Sequence, residues 1–215
     1  MFLKIKNIPK VSWSSDKPLN LKPKISTFFF LCFGLTLFGL GEGLLIVSAS
    51  GASPWSVLAQ GISSKSGFSV GLITFIISIS VLIFWIPLNQ KPGIGTILNA
   101  LIVALMIDIC NKYFPSPENF ISQTLLGAIA VLLTGIGGGI YLIANLGAGP
   151  RDGLMVGLQL KTNLPIAAVR ATIEVTVVFV GWHLGGTVGV GTLLFAFGIG
   201  PCVALGLFLV NRLFN

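Results

Sequence analysis

Apolar and polar positions separate into long blocks along this chain. Apolar runs cover about 25–48, 68–88, 94–112, 119–144, 165–184 and 190–211. Wound as an α-helix at ~1.5 Å per residue, each reaches roughly the 30 Å of a bilayer's hydrocarbon core. Two stretches between the runs, 54–66 and 150–162, are too short and too polar to span, yet they are punctuated as helices. Ser53 and Gly149 stand where an N-cap belongs. Pro54 and Pro150 follow at the first helical position, where a missing N–H costs nothing. Lys65 and Lys161 fall in the last turn, favoured there by the helix dipole, and Gly67 and Asn163 tolerate a left-handed stop. Gly61, Gly153 and Gly157 weaken both helices. The pattern predicts an all-α, polytopic membrane fold of about six transmembrane helices and two short non-spanning ones.

The chain also matches itself at a shift of 96 residues. Gly39, Gly41 and Gly43 fall on Gly135, Gly137 and Gly139, and Gly51-Ala52-x-Pro54 falls on Gly147-Ala148-x-Pro150. Gly61 and Lys65 fall on Gly157 and Lys161, and Gly93-x-Gly95-Thr96 on Gly189-x-Gly191-Thr192. Between 37 and 100, 18 of 64 positions are identical, seven of them glycines. Apolar bias alone does not align glycines, a proline, a lysine and a threonine, so the sequence implies duplication. Repeat one covers about 30–112 and repeat two about 126–208. Three spans per half make the second half enter the membrane from the opposite side, as in transporters built from inverted repeats.

Composition agrees with a lipid solvent. Charged residues make up 9% of the 215 and hydrophobic ones 54%, with a mean hydropathy of +0.96. Soluble domains carry roughly 25% charged residues. The net charge of +7 is not a nucleic-acid signal, because Lys4, Lys6, Lys10, Lys17, Lys22 and Lys24 crowd the first 24 residues. Residues 1–24 read as a disordered basic arm on the cytoplasmic surface, and 25–215 as a single transmembrane domain. No small-residue site closes the first apolar run, so a cleaved signal peptide is not expected. With both termini cytoplasmic, the six arm lysines, Lys91, Arg151, Lys161 and Arg212 lie inside, and only Lys65 and Lys112 lie outside. That bias follows the positive-inside rule. Cys32, Cys110 and Cys202 are odd in number, lack metal-ligand spacing and sit in apolar runs, so they read as packing residues.

The second half resembles the YczE/YitT-like family of bacterial integral membrane proteins. The residues that carry the likeness are Gly147-Ala148-Gly149-Pro150-Arg151-Asp152-Gly153-Leu154-Met155, Arg170 and Glu174, Gly181-Trp182-His183-Leu184-Gly185-Gly186, Gly189-Val190-Gly191-Thr192 and Gly200-Pro201. Ser53-Pro54-Trp55-Ser56-Val57-Leu58 is similar to a degenerate first-half copy. The likeness covers about 28–210 and leaves out the arm. It implies a protein of the bacterial cytoplasmic membrane and supplies no catalytic residues.

Ionisable residues inside the apolar runs are few and costly, at about 2.5–3.5 kcal/mol each on insertion scales, so they pair or face a wet cavity. Arg170 and Glu174, four apart, share a helix face and form either a packing pair or a substrate or proton site. Glu42, inside Gly41-Glu42-Gly43, has no acid in the repeat, where Gly138 stands. Pairing with Arg170 or Arg151 is expected of it, with proton carriage as the alternative. Arg151 and Asp152 open the second short helix, as a topogenic cation and a cap or as a gate and anion contact. Asp108 reads as a surface residue or a mate for Lys112, and His183 beside Trp182 as an interfacial anchor. Gly39-xxx-Gly43, Gly135-xxx-Gly139 and Gly181-xxx-Gly185 permit close helix contact. Broken helices at Gly41–Gly43 and Gly137–Gly139 are the alternative.

No nucleotide loop, metal cluster or catalytic triad is present, so no enzyme, catalytic residue, metal or cofactor is expected. The leading expectation is a secondary transporter or permease for a small solute carrying an anionic group. Its candidate binding residues are Glu42, Arg151, Asp152, Arg170 and Glu174, with Pro54, Trp55 and Pro150 opening the short helices. The lipid bilayer, a small solute and protons are the expected partners, nucleic acid is not, and homo-oligomers are left open. The alternative is a non-transporting accessory protein that packs against membrane partners.

Overall fold

A computed structural model describes residues 8–214, and residues 1–7 of the basic arm lie outside the described residues. Eight helices follow one another: α1 Ile25–Val47, α2 Pro54–Ser66, α3 Val70–Trp85, α4 Ile94–Tyr113, α5 Phe120–Ala144, α6 Pro150–Thr162, α7 Ile166–His183 and α8 Val190–Phe214. The punctuation read from the sequence sets the short helices. Ser53 and Gly149 are extended before Pro54 and Pro150, and Gly67 and Asn163 stop the helices in the left-handed conformation. Five helices are long and apolar enough to cross a membrane. The expected second span falls short: α3 has 16 residues, about 24 Å at ~1.5 Å per residue, and joins α2 at a bend of 116°. A sixth span exists only if that bent pair is counted as one. The chain is a polytopic, all-helical membrane protein.

The backbone recurs at the 96-residue spacing. Helices α2 and α6 have the same length at that offset, and α4 and α8 begin on it. The eight described residues with positive φ form four pairs 96 apart: Ala49 and Asn145, Gly51 and Gly147, Gly67 and Asn163, Asn89 and Gly185. Contacts exchange between the halves in the same way. Gly95 N–H donates to Leu146 C=O at 2.8 Å, and Gly191 N–H donates to Ser50 C=O at 2.8 Å. Helix α1 packs on α5 and α4, and α5 packs on α1 and α8, while α2 crosses to α7 and α6 to α3.

Glycines set these distances. A Cβ on Gly34 would lie 2.7 Å from Tyr141 N, and one on Gly41 would lie 2.5 Å from Thr134 N, so α1 and α5 touch backbone to backbone. Gly39 and Gly43 let α4 approach α1, and Gly135 and Gly139 let α8 approach α5. This is the small-residue packing expected in lipid, where apolar area alone gives helices no reason to associate. The broken-helix alternative fails, because α1 and α5 run unbroken through Gly41–Gly43 and Gly137–Gly139.

The arm is a second departure from expectation. Residues 8–24 lie on the bundle rather than loose in solvent. Trp13 is buried, stacked on Phe30 at 4.5 Å and edge-on to Phe214 at 5.9 Å. Ser15 N–H donates to Ala144 C=O at 3.1 Å, and Asn145 Nδ2 donates to Ser15 C=O at 2.8 Å. The lysine count hid the pattern Val11-x-Trp13-x-Ser15, whose three alternate residues are all buried.

Candidate functional site

The N-terminal turns of α2 and α6 meet inside the bundle. Pro54, Trp55, Ser56 and Val57 are buried at the start of α2, and Pro150 and Gly153 at the start of α6. The Arg151 guanidinium carbon stands 5.4 Å from the centroid of the Trp55 ring, a cation–π distance. Trp55 and Arg151 are 96 apart, so equivalent positions of the two halves touch each other.

A cavity of about 260 Å³ lies against this contact. Helix α1 supplies Phe38 and Glu42, α2 supplies Pro54 and Trp55 after Ser53, and α5 supplies Gly138, Tyr141 and Leu142. The other wall is Arg151, Asp152 and Met155 of α6, Arg170 and Glu174 of α7, and Phe195, Ile199, Gly200 and Val203 of α8. Glu42, Arg151, Asp152, Arg170 and Glu174, scattered over 133 positions of sequence, all line this one cavity, as do Pro54 and Trp55. Pro150 does not; its carbonyl accepts from Trp85 Nε1 at 2.9 Å and ties α6 to α3.

Each charged group has a distinct setting. Arg170 Nε donates to Glu174 Oε1 at 2.7 Å, the pairing expected from their spacing. Glu42, 1% exposed, does not make the expected ion pair with Arg151 or Arg170 among the described residues. Its Oε2 instead accepts from Ser53 Oγ at 2.6 Å and Ser56 Oγ at 2.7 Å, which brings the carboxylate to the start of α2. Oε1 is buried without a hydrogen-bond partner. Asp152 Oδ2 accepts from Tyr141 Oη at 2.7 Å. Arg151, placed by the sequence among the inner loop charges, is in the cavity wall instead.

Three residues of the site escaped the sequence reading. Ser53 read only as an N-cap and Ser56 only as part of the Ser53–Leu58 motif, although their spacing around Pro54 puts both hydroxyls at the first turn of α2. Tyr141 was hidden in an apolar run, with only its being one of two tyrosines in the chain to mark it. Asp108 lies elsewhere and is corrected too: it accepts from Ser69 Oγ at 2.6 Å and Gly71 N–H at 2.7 Å, capping α3 rather than pairing with Lys112. His183 packs on Phe179 at 4.4 Å and beside Trp182, away from the cavity.

Residues 25–207 match a family of unknown function, DUF6198. The chain belongs to this family. The match contains every residue that lines the cavity and omits the arm. The chain is 40% identical over 210 residues to an uncharacterized protein of Haemophilus influenzae, covering 98% of this chain and 95% of the relative. It is 34% identical over 172 residues to YczE, an uncharacterized membrane protein of Bacillus subtilis, covering 79% of each chain. The YczE-like character read from the glycine, proline and arginine motifs therefore stands. Identity to YyaS of Bacillus subtilis is 27% over 171 residues, covering 78% of this chain and 85% of the relative. No solved structure matches the chain.

Proposed function

We propose that this membrane protein is a secondary transporter or permease whose small solute occupies the cavity beside Glu42 and Arg151. One observation carries the reading. A second cavity, of about 50 Å³, lies on the other side of the Arg151 turn, lined by Phe38, Thr74, Ser78, Asn99, Val103, Gly149, Arg151 and Asp152. Thr74, Ser78, Asn99 and Val103 precede Arg170, Glu174, Phe195 and Ile199 of the larger cavity by 96 residues, and Gly149 and Arg151 follow Ser53 and Trp55 by the same interval. The two cavities are one feature of the repeated unit, large at one copy and small at the other. Counting the bent α2–α3 pair as one crossing gives each half three crossings, and the two halves then run in opposite senses with their cavities toward opposite membrane faces. Exchanging the two half-conformations would close the first cavity and open the second, which is alternating access about a fixed site.

The positive-inside bias supports a reading with both termini on the cytoplasmic side of a bacterial cytoplasmic membrane. An anionic solute has less support than the sequence suggested. Both short-helix starts already meet internal carboxylates, Glu42 at α2 and Asp152 in the first turn of α6. The test is flux. Purified protein in sealed vesicles, challenged with a panel of small solutes under a pH gradient, should move at least one solute or its coupled protons faster than empty vesicles. Gly138→Leu fills the cavity wall and should abolish that flux while the protein stays monodisperse. A folded wild-type protein that moves none of the panel overturns the reading.

A further inference from the structure

The charge around the cavity does not close. Arg170 and Glu174 neutralise each other at 2.7 Å. Of the remaining charged groups in the wall, Glu42 and Asp152 are acids and Arg151 is the one cation. Arg151 makes no ion pair within 4.0 Å of either acid among the described residues, and leans on Trp55. Asp152 has the Tyr141 hydroxyl at 2.7 Å. Glu42 has one oxygen held by two serines and one, Oε1, buried with no donor. A buried acceptor without a donor is costly, and a buried unpaired charge is more so. The site as built is short of one positive charge over Glu42 and Asp152 together, and Glu42 Oε1 is short of a hydrogen-bond donor.

The other groups facing Glu42 do not supply them. Helix α2 offers the serine hydroxyls already used and Trp55 Nε1, a buried donor that makes no hydrogen bond to Glu42, and α5 offers Tyr141, already donating to Asp152. Helix α6 offers Arg151 and Asp152, and α7 offers the closed Arg170–Glu174 pair. Cys110 of α4 lies against Gly43 with its thiol toward Leu40 C=O at 3.8 Å, and Cys202 of α8 lies against Gly135. Four aromatic rings, Phe38, Trp55, Tyr141 and Phe195, share the cavity wall with Glu42 among aliphatic residues. Ring faces attract cations, and a volume of about 260 Å³ fits a small organic molecule rather than a drug-sized one.

We infer that Glu42 is a single-occupancy site for positive charge, taking either a proton or the ammonium or guanidinium head of a small, partly apolar solute, one excluding the other. Proton and solute then exchange one for one at the same carboxylate, so a monovalent cation moves against a proton without net charge transfer. The exchange rests on the transport reading above; occupancy of Glu42 does not.

A hydrophobic carbodiimide tests occupancy on the wild-type protein, since it modifies a buried carboxyl only in its protonated form and peptide mass mapping locates the adduct. Benzamidinium, benzamide and benzoate are matched in shape and differ in charge, and serve as the probes. Without any probe present, Glu42 should be labelled. At fixed pH, benzamidinium at ~10 times its Kd should cut labelling roughly tenfold by mass action. Benzamide and benzoate should leave it unchanged. An unlabelled Glu42, equal protection by benzoate or benzamide, or no protection by benzamidinium each overturns the inference. Protection without flux in vesicles would leave the site standing and remove the transport reading. Flux of other solutes without protection would do the reverse.

Discussion

Gly137 offers a quantitative test of how the bundle is held together. A Cβ added there would strike Phe38 N and lie 2.6 Å from Gly34 C=O, both backbone atoms of α1. Neither can rotate away, so α1 and α5 would have to part by roughly 1 Å to reach ordinary contact distance. Overpacking of this kind costs about 1–3 kcal/mol. Glycine to alanine inside a helix also gains about 1 kcal/mol of helix propensity, which must be subtracted. Two neighbours isolate the clash. At Gly138 the added carbon meets only side chains, Val203 at 3.2 Å and Phe38 at 3.6 Å, and at Gly200 it meets nothing within 4 Å. Gly137 and Gly138 are adjacent in α5 and carry the same propensity gain, so the difference between them reports packing alone; at Gly200 the ring of Pro201 offsets part of that gain. Thermal unfolding of the purified protein should place Gly137→Ala about 2–10 °C below Gly138→Ala, at roughly 2–4 °C per kcal/mol for a chain of this size. Gly138→Ala should lie close to Gly200→Ala. Equal midpoints for all three would refute the claim that backbone contact between α1 and α5 sets the structure.

Three further outcomes follow from the hydrogen bonds and the arm. Arg170→Ala should destabilise the protein more than Arg170→Ala with Glu174→Ala, with a coupling of about 1–3 kcal/mol in a thermal double-mutant cycle; strict additivity would mean the pair is idle. Asp108→Ala removes the acceptor of Gly71 N–H and of the Ser69 hydroxyl while leaving the Ser69 cap, and should cost about 1–2 kcal/mol, with faster amide hydrogen exchange confined to Gly71–Ile73. Trp13→Ala, at a residue 3% exposed, should cost about 3 kcal/mol or more, whereas a loose arm would lose nothing.

The sequence made the helices legible because lipid leaves little choice. Every backbone group in the hydrocarbon must be satisfied locally, so a long apolar run can be little other than a helix, and proline and glycine mark its ends. The bounds of α2 and α6 followed from Pro54, Pro150, Gly67 and Asn163. The gathering of Glu42, Arg151, Asp152, Arg170 and Glu174 was legible for a related reason: buried charge is expensive and needs shared surroundings. What each carboxylate touches was not. Glu42 and Asp108 take hydroxyl and N–H donors from helices that follow them or lie 37 to 39 positions away, and sequence spacing carries no sign of that. The arm was misread because six lysines outweighed three buried residues whose burial depends on Phe30 and Phe214, one at each end of the domain.

Alternating access is tested most directly by asking which membrane face reaches each cavity. In a background with Cys32, Cys110 and Cys202 replaced, single cysteines at Ile199 and Ser78 report the larger and the smaller cavity. A membrane-impermeant thiol reagent should reach Ile199→Cys from one face and Ser78→Cys from the other, and any solute that raises one rate should lower the other. Labelling of both from the same face, or a Ser78→Cys that never reacts while Ile199→Cys does, would contradict the account.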